Sequence, residues 1–223
     1  MICNFIIQEN VGLPESYPTD WQTVSVPHTW NALDGNDRTG PYNRGSYWYA
    51  KTFKTPKQPL AGGKVFVEFL GAGQQSTVYV NGTKVAYHEG GYSTFRADIT
   101  ALCKEDGENL LVVNCDNSHK DSVYPQNADF TFYGGLYRGV NIISVPDTHF
   151  DLEYYGGPGI MVTPKPTECG GATFEMETCD EVSARVGVRT FSCDPNTGFW
   201  LNGKNVPLRG VSRHQDITFT RFL

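Results

Sequence analysis

Ser76-Thr77-Val78-Tyr79-Val80-Asn81-Gly82-Thr83-Lys84-Val85-Ala86-Tyr87-His88 is the stretch whose reading decides the fold. Two runs rich in β-branched and aromatic residues flank Asn-Gly. A two-residue type I′ turn needs positive φ at both central positions, and Asn followed by Gly supplies it at low steric cost. The stretch is read as an antiparallel hairpin. Asn81-Gly82-Thr83 also fits the N-glycosylation pattern, but a tight turn is the better use of those residues.

Working outward, the same strand signals recur. Upstream, Tyr47 to Phe53 is aromatic and β-branched and is ended by Pro56 and Pro59, and Lys64 to Leu70 alternates with Val65, Val67 and Phe69 on one face. Downstream, Asp98 to Leu102 precedes a polar loop at Lys104 to Glu108. Asn109 to Cys115 then reads as a largely buried strand. A long polar and aromatic loop, Asp116 to Gly135, leads into a last strand at Tyr137 to Val145. From Trp21 to Val145 this makes about seven strands with turn signals between them, the pattern of an all-β antiparallel sandwich. No long helical period competes.

The character changes after Pro146. Tyr155-Gly156-Gly157-Pro158-Gly159 is linker-like, and Ala172 to Thr178 is the one clear strand candidate between 167 and 187. A second Asn-Gly hairpin follows at Phe199 to Leu208, and it runs into Arg209-Gly210-Val211-Ser212-Arg213-His214-Gln215-Asp216.

Composition narrows the function. With 18 Lys and Arg against 24 Asp and Glu the net charge is −6 and no basic cluster stands out, so nucleic acid is not expected as a partner. No apolar run is long enough to span a membrane. The N-terminal MICNFIIQENVG lacks a basic region ahead of its apolar run, so no signal peptide is read and a cytoplasmic location is expected. The six cysteines are scattered without a C-x-x-C, which suits reduced thiols.

Few constellations remain that could carry chemistry. His28, His88, His119, His149 and His214 are not paired with other ligands at metal-binding spacing, and neither a nucleophile elbow nor a P-loop occurs. No metal or cofactor is implied. Glu175 and Glu177 would share a strand face with Cα atoms about 6.6 Å apart, superficially like the two carboxyls of a retaining glycosidase at about 5–5.5 Å. A solvated strand face explains them better, because such pairs come from separate rigid elements in a cleft. Asp129 is more suggestive. It lies in Pro125-Gln126-Asn127-Ala128-Asp129-Phe130-Thr131-Phe132-Tyr133-Gly134-Gly135, a mixture of aromatic rings, amides and one acid. Rings cover the C–H faces of sugars, while carboxylates and amides take their hydroxyls. An Asp capping a turn is the alternative.

Five phrases, in order, resemble glycoside hydrolase family 2, the β-galactosidase and β-glucuronidase family. They are Val24 to Gly35 (VSVPHTWNALDG), Tyr42 to Tyr49 (YNRGSYWY), Val78 to Gly82, Asp129 to Arg138 (DFTFYGGLYR) and Phe199 to Asp216. The first four resemble the family's N-terminal sugar-binding domain, and the fifth resembles the lead-in to its TIM barrel. The resemblance implies a jelly-roll (galactose-binding-like) domain over 1–150. It further implies a linker and short remnant of an immunoglobulin-like domain over 151–187, and the start of a barrel, with its first strand, over 188–223. It also implies hydrolysis of β-glycosidic bonds with retention in intact relatives, and β-galactoside or β-glucuronide-type carbohydrate as partner. Asp129 matches an acid that reaches the active-site rim and contacts substrate hydroxyls. His214 matches a histidine lining the sugar subsite at the end of the first barrel strand. Arg209 and Arg213 suit ion pairs at that rim as well as ligand contacts.

The departures from the family pattern are equally informative. An immunoglobulin-like domain takes about 100 residues and a barrel about 250, and neither fits in the space available. The acid/base and nucleophile glutamates of the family have no counterpart here. The expectation is a truncated, internally deleted member that retains sugar binding and is inactive alone. A stand-alone carbohydrate-binding module is the rival reading, with Tyr124, Phe130, Phe132 and Tyr133 as its aromatic platform. A non-functional fragment is the other.

Overall fold

The computed structural model describes residues 4–9, 11–34, 42–57, 62–125, 131–160, 163–166, 172–175 and 188–212. The first unit is a two-sheet antiparallel sandwich. Its larger sheet holds β1 (Phe5–Glu9), β2 (Gln22–Val24), β3 (Ser46–Lys54), β5 (Gln75–Val80), β6 (Thr83–Glu89) and β8 (Glu108–Asp116), in the order β2-β1-β3-β8-β5-β6. The facing sheet is β7 (Phe95–Asp98), β4 (Lys64–Phe69) and β9 (Val140–Val145), in the order β7-β4-β9. A single 3₁₀ turn at Thr100–Leu102 follows β7. This is the jelly-roll sandwich that the resemblance implied.

Period-2 alternation explains the core. Tyr49, Val78, Val80, Leu111, Val113 and Cys115 point inward from the larger sheet and meet Val65, Val67, Phe69, Ala97 and Val140 from the smaller. Each such side chain contributes roughly 1.5–3 kcal/mol on full burial. The hairpin is as read, since Asn81 (φ 50°) and Gly82 (φ 81°) both take the left-handed conformation that a type I′ turn demands. Asn81 adds a tether, because its side-chain amide donates to the Leu102 carbonyl (2.7 Å) and its Oδ1 accepts from Leu110 N–H (2.9 Å).

β1 falls outside the strand pattern read from Trp21 onward, yet it lies between β2 and β3. Phe5 and Ile7 enter the core and Ile6 the opposite face, so three consecutive apolar residues serve two surfaces. The outer face carries its own small cluster. There Ile6, Ala50 and Val112 are covered by Trp21, Trp48, Tyr79 and Leu110. The sandwich is closed at its exit by Arg96, which donates to Glu68 (2.6 Å) and to the Leu152 and Gly157 carbonyls (3.0 and 2.8 Å).

Residues 160–213 form a second compact unit. β10 (Thr163–Pro166) pairs with β11 (Ala172–Glu175), and β12 (Phe191–Asp194), β13 (Gly198–Leu201) and β14 (Lys204–Asn205) form a three-stranded sheet. Asn202 (φ 49°) and Gly203 (φ 72°) make the second Asn-Gly turn as expected. Beyond it, 206–212 join no ladder among the described residues, and Leu208 and Val211 are exposed. Arg189, Phe191, Phe199 and Leu201 line an apolar depression of about 400 Å³ on this unit.

Candidate functional site

Three loops meet at one end of the sandwich: 28–34 after β2, 42–45 before β3, and 131–137 before β9. What holds them is a pair of buried amides. Asn31 Nδ2 and Asn117 Nδ2 both donate to the carbonyl of Phe132, at 2.9 and 2.8 Å. Asn31 Oδ1 also accepts from Thr29 Oγ1 (2.7 Å) and Gly134 N–H (2.9 Å), and Asn117 Oδ1 accepts from Gly45 N–H (2.8 Å). A buried amide is tolerated only when its donors and acceptors are satisfied, so these contacts fix one arrangement of the three loops.

Aromatic packing completes the anchor. Trp30 stacks on Tyr47 with centroids 4.1 Å apart, and its indole N–H donates to the Asn43 carbonyl (3.2 Å). The Arg44 guanidinium lies 4.1 Å from the Phe132 ring centroid, and Tyr42 meets the same ring edge-on. Gly134 and Gly135 are required here. A Cβ on Gly134 would fall inside the Trp30 indole, and one on Gly135 (φ 102°) would strike the Tyr49 hydroxyl. Gly135 also exchanges backbone hydrogen bonds with Gly73, at 3.0 and 3.2 Å.

Below this rim, His28 Nδ1 lies 2.9 Å from the Tyr49 hydroxyl. Burial lowers the His28 pKa from its ordinary value and raises that of Tyr49, so both are neutral near pH 7. Burial likewise pushes Tyr137 up to about 12, and the Tyr137 hydroxyl donates to the Gly91 carbonyl.

The residues expected from sequence fare differently. Asp129, Phe130, Arg213, His214 and Glu177 lie outside the described residues. Phe132 is 1% exposed. It is therefore not part of an aromatic platform, because its ring is enclosed by Arg44 and Tyr42; it anchors the loop instead. Tyr133 is half-buried and Tyr124 is 83% exposed. Arg209 is exposed. The structural residues that sequence reasoning missed are Asn31 and Asn117. Asn31 lies inside the quoted VSVPHTWNALDG phrase, yet its partner carbonyl is about a hundred residues away, so no local pattern reveals it. No group of three or more His, Cys, Asp or Glu side chains fit to hold a metal occurs among the described residues, nor does a helix long and apolar enough to cross a membrane.

The description "Glycosyl hydrolases family 2, sugar binding domain" matches residues 5–146. The chain belongs to that family. It is 28% identical to a putative beta-glucuronidase of Formosa agariphila over 88% of this chain and 31% of that protein. It is 33% identical to a beta-galactosidase of Thermoanaerobacter pseudethanolicus over 90% of this chain and 36% of that protein. Among solved structures, the FMN-binding beta-glucuronidase from Facaelibacterium prausnitzii L2-6 is 41% identical, with a TM-score of 0.78 over 96% of this chain and 42% of that one. The chain thus spans about a third of the curated relatives it matches. The Formosa alignment runs over 261 residues, more than the 223 of this chain, so that relative carries residues inside the matched span that are missing here.

Proposed function

We propose that this chain is the sugar-recognising part of a β-glucuronidase- or β-galactosidase-type glycosidase, with Asp129 contacting substrate hydroxyls at the rim, and that alone it binds β-glycosides without hydrolysing them. The observation that carries this reading is the anchoring of residues 131–138, which follow Asp129 in that phrase. Two satisfied buried amides hold the Phe132 carbonyl three residues from Asp129, inside a domain whose family model is described as sugar-binding. Such a fixed base suits an acid that must meet hydroxyls at set positions, since a carboxylate accepts from two neighbouring donors at once. Chemistry is a separate matter. Retaining hydrolysis needs an acid/base and a nucleophile carboxyl about 5–5.5 Å apart, and no pair in this sequence matches the family's two glutamates. His214 is assigned to the sugar site by resemblance alone.

The test is ligand-observed NMR on the full chain with methyl β-glucuronide and methyl β-galactoside. Saturation transfer to at least one of them, lost in Asp129→Asn while the melting temperature holds, is the expected result. Transfer that Asp129→Asn leaves unchanged, or none to either glycoside, overturns the reading.

A further inference from the structure

A second cluster on the sandwich is built in a way that the rim does not explain. On β6, at the edge of the larger sheet, the Glu89 carboxylate receives three donors on one oxygen. Tyr87 Oη (2.7 Å), Gln75 Nε2 (2.9 Å) and Ser122 Oγ (2.9 Å) all point at Oε1. Gln75 Nε2 also donates to Ser122 Oγ (3.2 Å). An exposed glutamate gains little by giving up its rotamer freedom, so a carboxylate fixed this way at the surface is preorganised. The Tyr87 hydroxyl, followed by the Ser122 hydroxyl and the Gln75 amide, holds its pKa below the usual carboxylate range. A carboxylate has about four lone-pair sites over two oxygens, so Oε2 keeps accepting capacity for a ligand.

Aromatic surface lies beside it. Tyr87 is 53% exposed, and Tyr124 follows Ser122 by two residues and is more exposed still. The register continues the row, since Tyr87 pairs with Thr77, Thr77 with Asn114 and Asn114 with Trp48. Trp48 in turn stacks on Tyr79, at 6.1 Å. The chemistry of the cluster narrows its ligand. An anion is repelled by Glu89. A metal ion lacks ligands, because no group of three acidic, His or Cys side chains occurs among the described residues. The Tyr87 ring already has a cation, Lys84 Nζ, 5.2 Å from its centroid. What remains is a neutral ligand that offers hydroxyl donors to a carboxylate and C–H faces to tyrosines.

We infer that Glu89, Gln75 and Tyr87, flanked by Ser122 and Tyr124, form a subsite for a neutral sugar unit of a longer β-linked oligosaccharide whose terminal residue occupies the rim. The inference rests on the proposed sugar binding at Asp129. Ser122 and Tyr124 belong to the same β8–β9 connection as Asp129, and Asn117 fastens the start of that connection to Gly45 and Phe132. The subsite makes the chain prefer oligosaccharides over simple glycosides.

Calorimetric titration of the full chain tests this with methyl β-galactoside, methyl β-glucuronide and a panel of β-1,4-linked tetraoses of galactose, glucose and xylose. At least one tetraose is expected to bind about tenfold more tightly than the better monosaccharide glycoside. Glu89→Gln, which keeps shape and loses charge, brings that ratio to within about twofold of unity and leaves the monosaccharide affinity unchanged. Tyr87→Phe, which keeps the ring and frees the carboxylate, gives a smaller loss. A wild-type ratio near one for every tetraose, or a ratio that Glu89→Gln does not move, overturns the subsite. The two readings fail separately. If Asp129→Asn leaves monosaccharide binding intact while Glu89→Gln still removes the tetraose preference, the rim assignment is wrong and the subsite stands.

Discussion

Asn81-Gly82 and Asn202-Gly203 are the same turn written twice. Their φ angles agree closely, 50° and 81° against 49° and 72°. What differs is what the strands meet. Val78 and Val80, ahead of the first turn, are fully buried between two sheets. Around the second, β14 has only two residues and Phe191, on the strand paired with β13, is 70% exposed. A local code for a hairpin is thus sufficient for the turn and insufficient for a core. An isolated small sheet is marginal in water, and burial of a face supplies most of its stability.

The largest effect in this contrast is expected at Arg96. Its ion pair with Glu68 is shielded, with both side chains about a tenth exposed. Removing one partner of such a pair leaves the other charge buried and costs about 3–5 kcal/mol. Arg96→Ala should lower the stability of the sandwich by that amount in urea titration. A loss under 1 kcal/mol would mean that the loop 150–159 is not tied down through this residue.

Next in size is Asn31→Ala, which strips a donor from the Phe132 carbonyl and an acceptor from Gly134 N–H. Unsatisfied buried groups cost about 1–3 kcal/mol each, so a loss of about 2 kcal/mol is expected, together with weaker glycoside binding. Asn117→Ala should behave alike. Because the Phe132 carbonyl keeps one amide donor in either single variant and loses both in the double, the double variant should cost more than the sum of the singles.

Hydrogen exchange sharpens the hairpin comparison itself. Amides of β5, paired on both sides by β6 and β8, should exchange only through global opening, whereas those of β13 should exchange through local opening. Equal protection in the two would remove the distinction. Limited proteolysis should agree, with early cuts between Thr167 and Arg213.

A smaller effect follows from His28. Its pKa is lowered by burial, so below about pH 6.5 the unfolded chain binds the proton more readily than the folded one. The neutral-imidazole contribution is fully present above pH 6.5 and is lost as the pH falls. His28→Gln, which removes this titration, should flatten the stability profile between pH 6.5 and 5.5. An unchanged slope would place the titration elsewhere.

Much of the sandwich is legible in the sequence because period-2 alternation and Asn-Gly turns are local. β3, β4, β5, β6 and β8 can all be read that way. β1 is not, because Phe5, Ile6 and Ile7 are apolar on both faces and owe their strand to pairing with β3. The β9 ladder begins at Val140, later than the run from Tyr137 suggests. Tyr137 and Arg138 turn their side chains to the carbonyls of Gly91, Leu70 and Tyr92 instead. At the site, the mixture of rings, amides and one acid around Asp129 suggests sugar contacts, and the resemblance assigns it to the rim. The amides that hold Phe132 are invisible locally, since their partner is a backbone carbonyl that only the fold brings near. Phe132 shows the converse error, a ring read as a platform because sequence does not register Arg44 lying across it.

The central proposal is that this chain, by itself, binds β-glycosides without cleaving them. Incubating the purified full chain with aryl β-glucuronide and aryl β-galactoside tests it most directly. The account predicts no phenol release above the uncatalysed rate for either substrate. Turnover that persists through purification and disappears in Asp129→Asn would contradict it.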